Sequence, residues 1–157
     1  SLGIALRAVG NGMKVLMVQF IKGPWKSGED EAAKRLAPDF EIIKGGKGFV
    51  GILGDSLPRS IHEEAARKTL ATAKEAVFSG KYDLVILDEV NVALELGLIA
   101  ASDVIRLVEE RPAKVGLVLT GRSAPSEIIE LADIVTEMNE VKHYYNEGKP
   151  ARKGFEF

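Results

Sequence analysis

The segment best equipped for chemistry is Lys81-Tyr82-Asp83-Leu84-Val85-Ile86-Leu87-Asp88-Glu89, an apolar run that stops on two adjacent carboxylates. Aliphatic residues on consecutive rather than alternate positions suit a parallel strand buried on both faces. Asp88 and Glu89 would then lie at the strand's carboxyl end, in the crevice where open α/β sheets bind ligands. From there two carboxylates can reach a magnesium ion and the phosphates it carries. Taken alone, the motif fits equally a strand that ends at the surface on acidic residues, so other segments must separate the two readings.

They do so by convergence. The carboxyl ends of the expected strands carry Gln19, Lys22, Glu89 with Asn91, and Thr120-Gly121-Arg122. Polar groups gathered at several strand ends favour a binding edge over chance surface residues. With a nucleotide in the crevice, Gln19, Lys22, Asn91 and Arg122 are the candidate ATP contacts, and Glu89 and Asp88 the candidate metal ligands.

Alternating strands and helices must position these groups. Ser1 to Val9 reads as a helix stopped by Gly10-Asn11-Gly12. Lys14 to Ile21 reads as a buried strand, Glu29 to Ala37 as a short helix and Phe40 to Lys44 as a second strand. Glycines at 45, 46, 48, 51 and 54 make Gly45 to Arg59 a long mobile loop, more often a binding element than a connector. Ser60 with Glu63 forms an expected capping box for a helix to about Phe78, with Gly80 as its stop before the strand Asp83 to Leu87. A helix over Ala101 to Glu110, blocked by Pro112, precedes a strand from Lys114 to Thr120. Ser126 to Ala132 reads as a helix and Ile134 to Val141 as a last strand. From Lys142 onward the chain is polar, and 142–157 is expected to be a tail that orders over a ligand or partner. The fold class is α/β: a mostly parallel sheet with helices on both faces and right-handed crossovers.

Composition narrows the function. The 157 residues fit one domain with a substantial core, and no second domain is expected. The absence of cysteine excludes thiol chemistry and agrees with a reducing cytoplasm. A net charge of -2, from 21 basic and 23 acidic residues mixed along the chain, offers no tract for nucleic acid. No apolar stretch approaches the roughly 20 residues that cross a bilayer, and no signal-peptide pattern opens the chain. A soluble, cytoplasmic protein without nucleic-acid or membrane partners is expected.

A RecA-like P-loop architecture should also have a first strand and a glycine-rich phosphate loop. No G-x-x-x-x-G-K-[ST] occurs here. Either that strand and loop precede Ser1, which is the expectation, or the ligand is held differently.

In its ordered motifs the chain resembles the P-loop-type corrinoid adenosyltransferases, which act on cob(I)alamin or cob(I)yrinic acid a,c-diamide. The resemblance rests on Ala5-Leu6-Arg7-Ala8-Val9-Gly10, Val18-Gln19-Phe20-Ile21-Lys22-Gly23 with Trp25 and Gly28-Glu29, and Leu87-Asp88-Glu89-Val90-Asn91. It continues through Arg111-Pro112, Leu119-Thr120-Gly121-Arg122 with Ala124-Pro125, Ala132-Asp133, Val135-Thr136-Glu137-Met138, Val141-Lys142-His143 and Ala151-Arg152-Lys153-Gly154-Phe155-Glu156-Phe157. It implies a phosphate loop just before the opening helix.

The resemblance further implies transfer of the 5'-deoxyadenosyl group of ATP to Co(I) of a corrinoid, with triphosphate as leaving group, in adenosylcobalamin synthesis or salvage. Co(I) is itself the nucleophile, so no activated serine, cysteine or histidine is needed. Mg2+ near Glu89, with Asp88 in support and Arg122 or Lys22 as cations, would stabilise charge growing on the triphosphate. Glu89 and Arg122 are thus the expected catalytic residues. In the family, aromatic residues press on the corrinoid and help displace its lower axial ligand. Phe49 and Trp25 are the expected corrinoid contacts, with ordinary packing the other reading, and Gly51 stands where relatives can have an aromatic. A homodimer and an electron donor such as a flavodoxin are implied as partners. His62 reads as a solvated surface residue, His143 as structural or at the substrate edge, and Arg7 as a surface or family position. A RecA-like NTPase, a nucleoside kinase or a non-catalytic nucleotide or corrinoid binder are the alternatives.

Overall fold

The computed structural model describes residues 1–52 and 54–155. Leu53 of the glycine-rich loop, and Glu156 and Phe157 of the carboxyl-terminal motif, lie outside the described residues.

Four strands, β1 (Val15–Gln19), β2 (Phe40–Lys44), β3 (Leu84–Asp88) and β4 (Gly116–Leu119), form one all-parallel sheet in the order β2-β1-β3-β4. Consecutive side chains of a strand point to opposite faces. Accordingly Leu16, Val18, Val85 and Leu87 enter one core, and Val15, Met17, Leu84 and Ile86 enter the other. This is why β1 and β3 read as unbroken apolar runs: neither face meets water.

Helix α1 (Leu2–Gly10) brings Ala5 and Ala8, and α2 (Gly28–Leu36) brings Ala33, to the second core. The long α3 (Arg59–Phe78) supplies Ala66, Leu70, Ala73 and Val77 to the first. There they meet Val90 and Ala93 of α4 (Val90–Glu95), Val104 and Leu107 of α5 (Ala101–Glu110) and Ile128 of α6 (Ser126–Leu131). Small residues on α3 let it lie close to the sheet, and each fully buried Leu or Val contributes about 1.5–3 kcal/mol. A short 3-10 turn, Tyr144–Glu147, follows in the carboxyl-terminal segment.

Several expectations are corrected. Ile134 to Val141 forms no strand: Ile134, Met138 and Val141 are 87%, 93% and 97% exposed. A strand exists only through a hydrogen-bonded neighbour, and no described strand pairs beyond β4. Strands β1 and β4 are shorter at both ends than their apolar runs, and α4 has no counterpart among the expected elements. The capping box sits at α2 instead of α3, where Ser27 donates from N–H and Oγ to the Asp30 carboxylate at 2.8 and 3.1 Å. Helix α3 begins after Pro58 with no side-chain cap. His62 is not on the surface; it is 3% exposed.

Candidate functional site

Parallel register brings the chemistry together. Gln19 and Asp88 are partners at the carboxyl ends of β1 and β3, and Gln19 Nε2 donates to Asp88 Oδ2 at 3.0 Å. Thr120, just past β4, donates from Oγ1 to Asp88 Oδ1, also at 3.0 Å. Each oxygen of Asp88 therefore accepts a hydrogen bond from a neighbouring strand end, and this carboxylate braces three strands.

Glu89 differs in every respect. Its backbone adopts φ 61°, a left-handed conformation that a non-glycine residue adopts only under constraint. The constraint is visible: Glu89 N–H donates to the same Thr120 Oγ1 at 3.0 Å. No hydrogen bond engages the Glu89 carboxyl among the described residues. Burial first, and the Asp88 charge second, push its pKa up, while Arg122 and Lys22 pull the other way. Two acids and two cations thus act on one half-buried spot.

Around it lie buried acceptors without donors. Gln19 is 1% and Asn91 5% exposed, and Gln19 Oε1 and Asn91 Oδ1 have no hydrogen-bond partner among the described residues. The Gln19 amide is oriented by its bond to Asp88, and Asn91 Nδ2 reaches Gly121 O at 3.5 Å. A buried unsatisfied oxygen costs about 1–3 kcal/mol, so both are suited to a donor brought by a ligand or by metal-bound water. Among the described residues no three His, Cys, Asp or Glu cluster as a protein-built metal cage. One free carboxylate with oxygen neighbours instead fits magnesium, which keeps its waters and shares substrate phosphates.

Gly121 is required where it stands. At φ 123°, a Cβ there would lie 3.1 Å from Asn91 Cβ and from Val92 N, so the loop carrying Arg122 can cross α4 only without a side chain. Ser123 then donates to Glu95 at 2.7 Å, tying that loop to the end of α4. Arg122 remains exposed at the rim. Lys22 forms an ion pair with Glu29; although burial opposes it, that bond holds the Glu29 carboxyl below its usual range.

Trp25 and Phe49 meet at a second location. Their ring centroids are 6.1 Å apart and tilted by 31°, and both rings are about half exposed. With Lys47, Ile52 and Leu57 they line an open groove of about 360 Å³. The loop fits beneath Trp25 because Gly48 has no side chain: a Cβ there would approach the indole to 2.5 Å. Lys44 fastens the Trp25 turn by donating to Trp25 O at 2.6 Å and to Asp30 at 2.5 Å.

The expected residues therefore divide into two groups. Gln19, Asp88, Glu89, Asn91, Lys22 and Arg122 share the strand edge, while Trp25 and Phe49 share the groove. Sequence reasoning missed the bridging role of Thr120, whose position after a strand was the only signal. It also misplaced His62, whose ring Nε2 lies 3.2 Å from Asp55 Oδ1. His143 Nδ1 accepts from Tyr145 N–H at 3.1 Å, a structural cap on the 3-10 turn. Arg7 is exposed on α1. No described helix is long and apolar enough to cross a membrane.

Residues 1–157 match the family model described as ATP:corrinoid adenosyltransferase BtuR/CobO/CobP. A corrinoid adenosyltransferase of Pseudomonas aeruginosa is 39% identical over 155 residues, covering 99% of this chain and 75% of the relative. One from Sinorhizobium sp is 38% identical over 157 residues, covering 99% and 72%, and one from Escherichia coli strain K12 is 33% identical over 155, covering 99% and 76%. With the family model matched over residues 1–157 and these relatives aligned along 99% of the chain, the chain belongs to the corrinoid adenosyltransferase family.

Proposed function

We propose that the protein transfers the 5'-deoxyadenosyl group of ATP to Co(I) of a corrinoid, releasing triphosphate. An electron pair on cobalt forms the Co–C5' bond as the C5'–O bond breaks and its electrons leave with the triphosphate. The observation that carries this reading is the contrast within one strand edge: Asp88 is bound on both oxygens, whereas the adjacent Glu89 is held ready with none engaged.

Glu89 would hold Mg2+, with Asp88 close enough to act through the metal's waters and with Gln19 Oε1 and Asn91 Oδ1 as acceptors for those waters. Bound there, the ion would neutralise charge accumulating on the triphosphate. Arg122 and Lys22 would add cationic stabilisation to the leaving group, Lys22 by exchanging Glu29 for phosphate. Gln19 and Asn91 would fix the nucleotide's position. Trp25 and Phe49 would offer a rigid apolar surface to the flat corrinoid, excluding water from cobalt. The reading includes a homodimer in the cytoplasm and an external electron donor of the flavodoxin class to reach Co(I).

The product assay decides it. Incubation with ATP, Mg2+ and chemically reduced cobalamin should yield an adenosylated corrinoid and inorganic triphosphate in equal amounts. ADP as the nucleotide product would overturn the reading in favour of a kinase or NTPase.

A further inference from the structure

The loop bearing Phe49 is rich in glycine, and something must hold it in one conformation. Its first half is secured by backbone bonds to the end of β1. Gly45 and Gly46 donate to Gln19 O at 3.0 and 3.2 Å, and Gly48 donates to Ile21 O at 3.0 Å. Both early glycines are contact points: a Cβ at Gly45 would overlap Thr69 of α3, and one at Gly46 would overlap the Ile21 backbone. Beyond Phe49, among the described residues, the backbone bonds no longer run to β1, and Asp55 N–H donates to Ile52 O at 3.2 Å.

The second half converges on one side chain. Asp55 accepts from Gly51 N–H at 2.8 Å and from Leu57 N–H at 3.0 Å, closing the loop on itself. The same carboxylate meets His62 Nε2, at 3.2 Å from Oδ1 and 3.1 Å from Oδ2. The side chains of His62 and Asp55 are only 2% and 9% exposed, and His62 stands on the first turns of α3, whose remainder packs on the sheet. Two backbone bonds from the loop and one ring bond from the helix thus meet at a single covered carboxylate, which stays ionised because those two N–H donors depress its pKa.

We propose that Asp55 and His62 are positioning residues that anchor the far side of the Phe49 loop to α3, setting the Trp25–Phe49 surface for the corrinoid. This rests on the corrinoid reading of that surface given above. Asp55 itself lines the groove, and the role proposed for both residues is to hold that surface, not to react. Their effect runs through loop geometry, where displacement by about 1 Å can cost about a hundredfold in rate.

Trp25 is the only tryptophan in the chain, so its fluorescence reports the surface directly, without turnover. Variants His62→Leu, His62→Gln and Asp55→Ser would be compared with the unmodified protein. The measurements are acrylamide quenching of Trp25, affinity for cob(II)alamin, affinity for ATP and thermal midpoint. His62→Leu and Asp55→Ser should raise Trp25 quenching and weaken cob(II)alamin binding by about tenfold or more, with ATP affinity unchanged within about twofold. His62→Gln, whose Nε2–H can reach the same carboxylate, should restore both readouts. Asp55→Ser breaks the junction from the loop side, so the test survives if His62→Leu fails to fold. Unchanged Trp25 quenching in Asp55→Ser, or parallel loss of ATP and cob(II)alamin affinity, would overturn the anchor. Unchanged cob(II)alamin affinity in Phe49→Ala would instead overturn the corrinoid reading of the surface, a result the quenching data do not depend on.

Discussion

The carboxylate edge and the aromatic groove lie in one molecule but are held by different physics. At the edge, Gln19, Asp88 and Thr120 are placed by adjoining parallel strands, and their side chains brace one another at 3.0 Å. In the groove, Phe49 rides on a loop with glycines at 45, 46, 48, 51 and 54, fastened by backbone bonds on one side and by Asp55 with His62 on the other. Electrostatic stabilisation of a triphosphate gains from fixed dipoles that need not reorganise. Seating a large flat substrate instead needs an apolar surface on a loop, held in place by anchors outside the sheet.

The largest effect should follow from the edge. Glu89→Gln removes the free charge without changing size, and should lower magnesium-dependent turnover by about a hundredfold while leaving the thermal midpoint near that of the wild type. Steady-state rates across a magnesium titration check it, and near-normal rates would remove Glu89 from the metal site.

Phe49→Ala tests the groove independently. It should retain ATP affinity yet lose about tenfold or more in activity when Co(II) corrinoid must be reduced on the protein, and lose less when Co(I) is supplied. Spectroscopy of bound Co(II) should show less of the four-coordinate species. An equal loss by both routes would show that edge and groove do not divide the work this way.

Thr120→Val sharpens the comparison, since the hydroxyl both serves Asp88 and holds Glu89 in its left-handed conformation. Loss of two hydrogen bonds should cost about 1–3 kcal/mol in chemical denaturation. The apparent magnesium requirement should rise severalfold without change in corrinoid affinity.

The smallest effect is in pH dependence. Because burial and Asp88 raise the Glu89 pKa, the folded metal-free protein keeps a proton that the unfolded chain has already lost. The Glu89 contribution to stability should therefore fall slightly as pH rises from the ordinary glutamate range through the raised value, opposite in sign to that of depressed carboxyls such as Glu29 and Asp55. Magnesium, which binds the ionised form, should bind less tightly as pH falls through the same window. The Glu89 share of both slopes should be absent in Glu89→Gln, and the difference between wild type and variant, from calorimetry with magnesium titration at several pH values, measures it.

Much of the edge is legible in the amino-acid sequence, because its signals are local. Leu84 to Leu87 is apolar at every position, so both faces had to be buried, and the polar residue that ends each such run had to stand at the carboxyl edge. The family motifs added the chemistry to those positions. Where the signal is equally local but its partner is distant, the sequence misleads. Ile134 to Val141 has the apolar content of a strand, yet without a described neighbour beyond β4 it remains irregular chain exposed to solvent.

The sequence by itself determined the alternation of strands and helices, the acidic strand end and the glycine content of the loop, since these depend on neighbours a few residues apart. Only the tertiary structure decided that Asp88 is a brace and Glu89 the free carboxylate, because that division rests on hydrogen bonds from Gln19 and Thr120, far along the chain. It likewise decided that His62 is buried against Asp55. A histidine followed by two glutamates at a helix start carries every local mark of exposure, and only the loop folding back over that turn removes it from water.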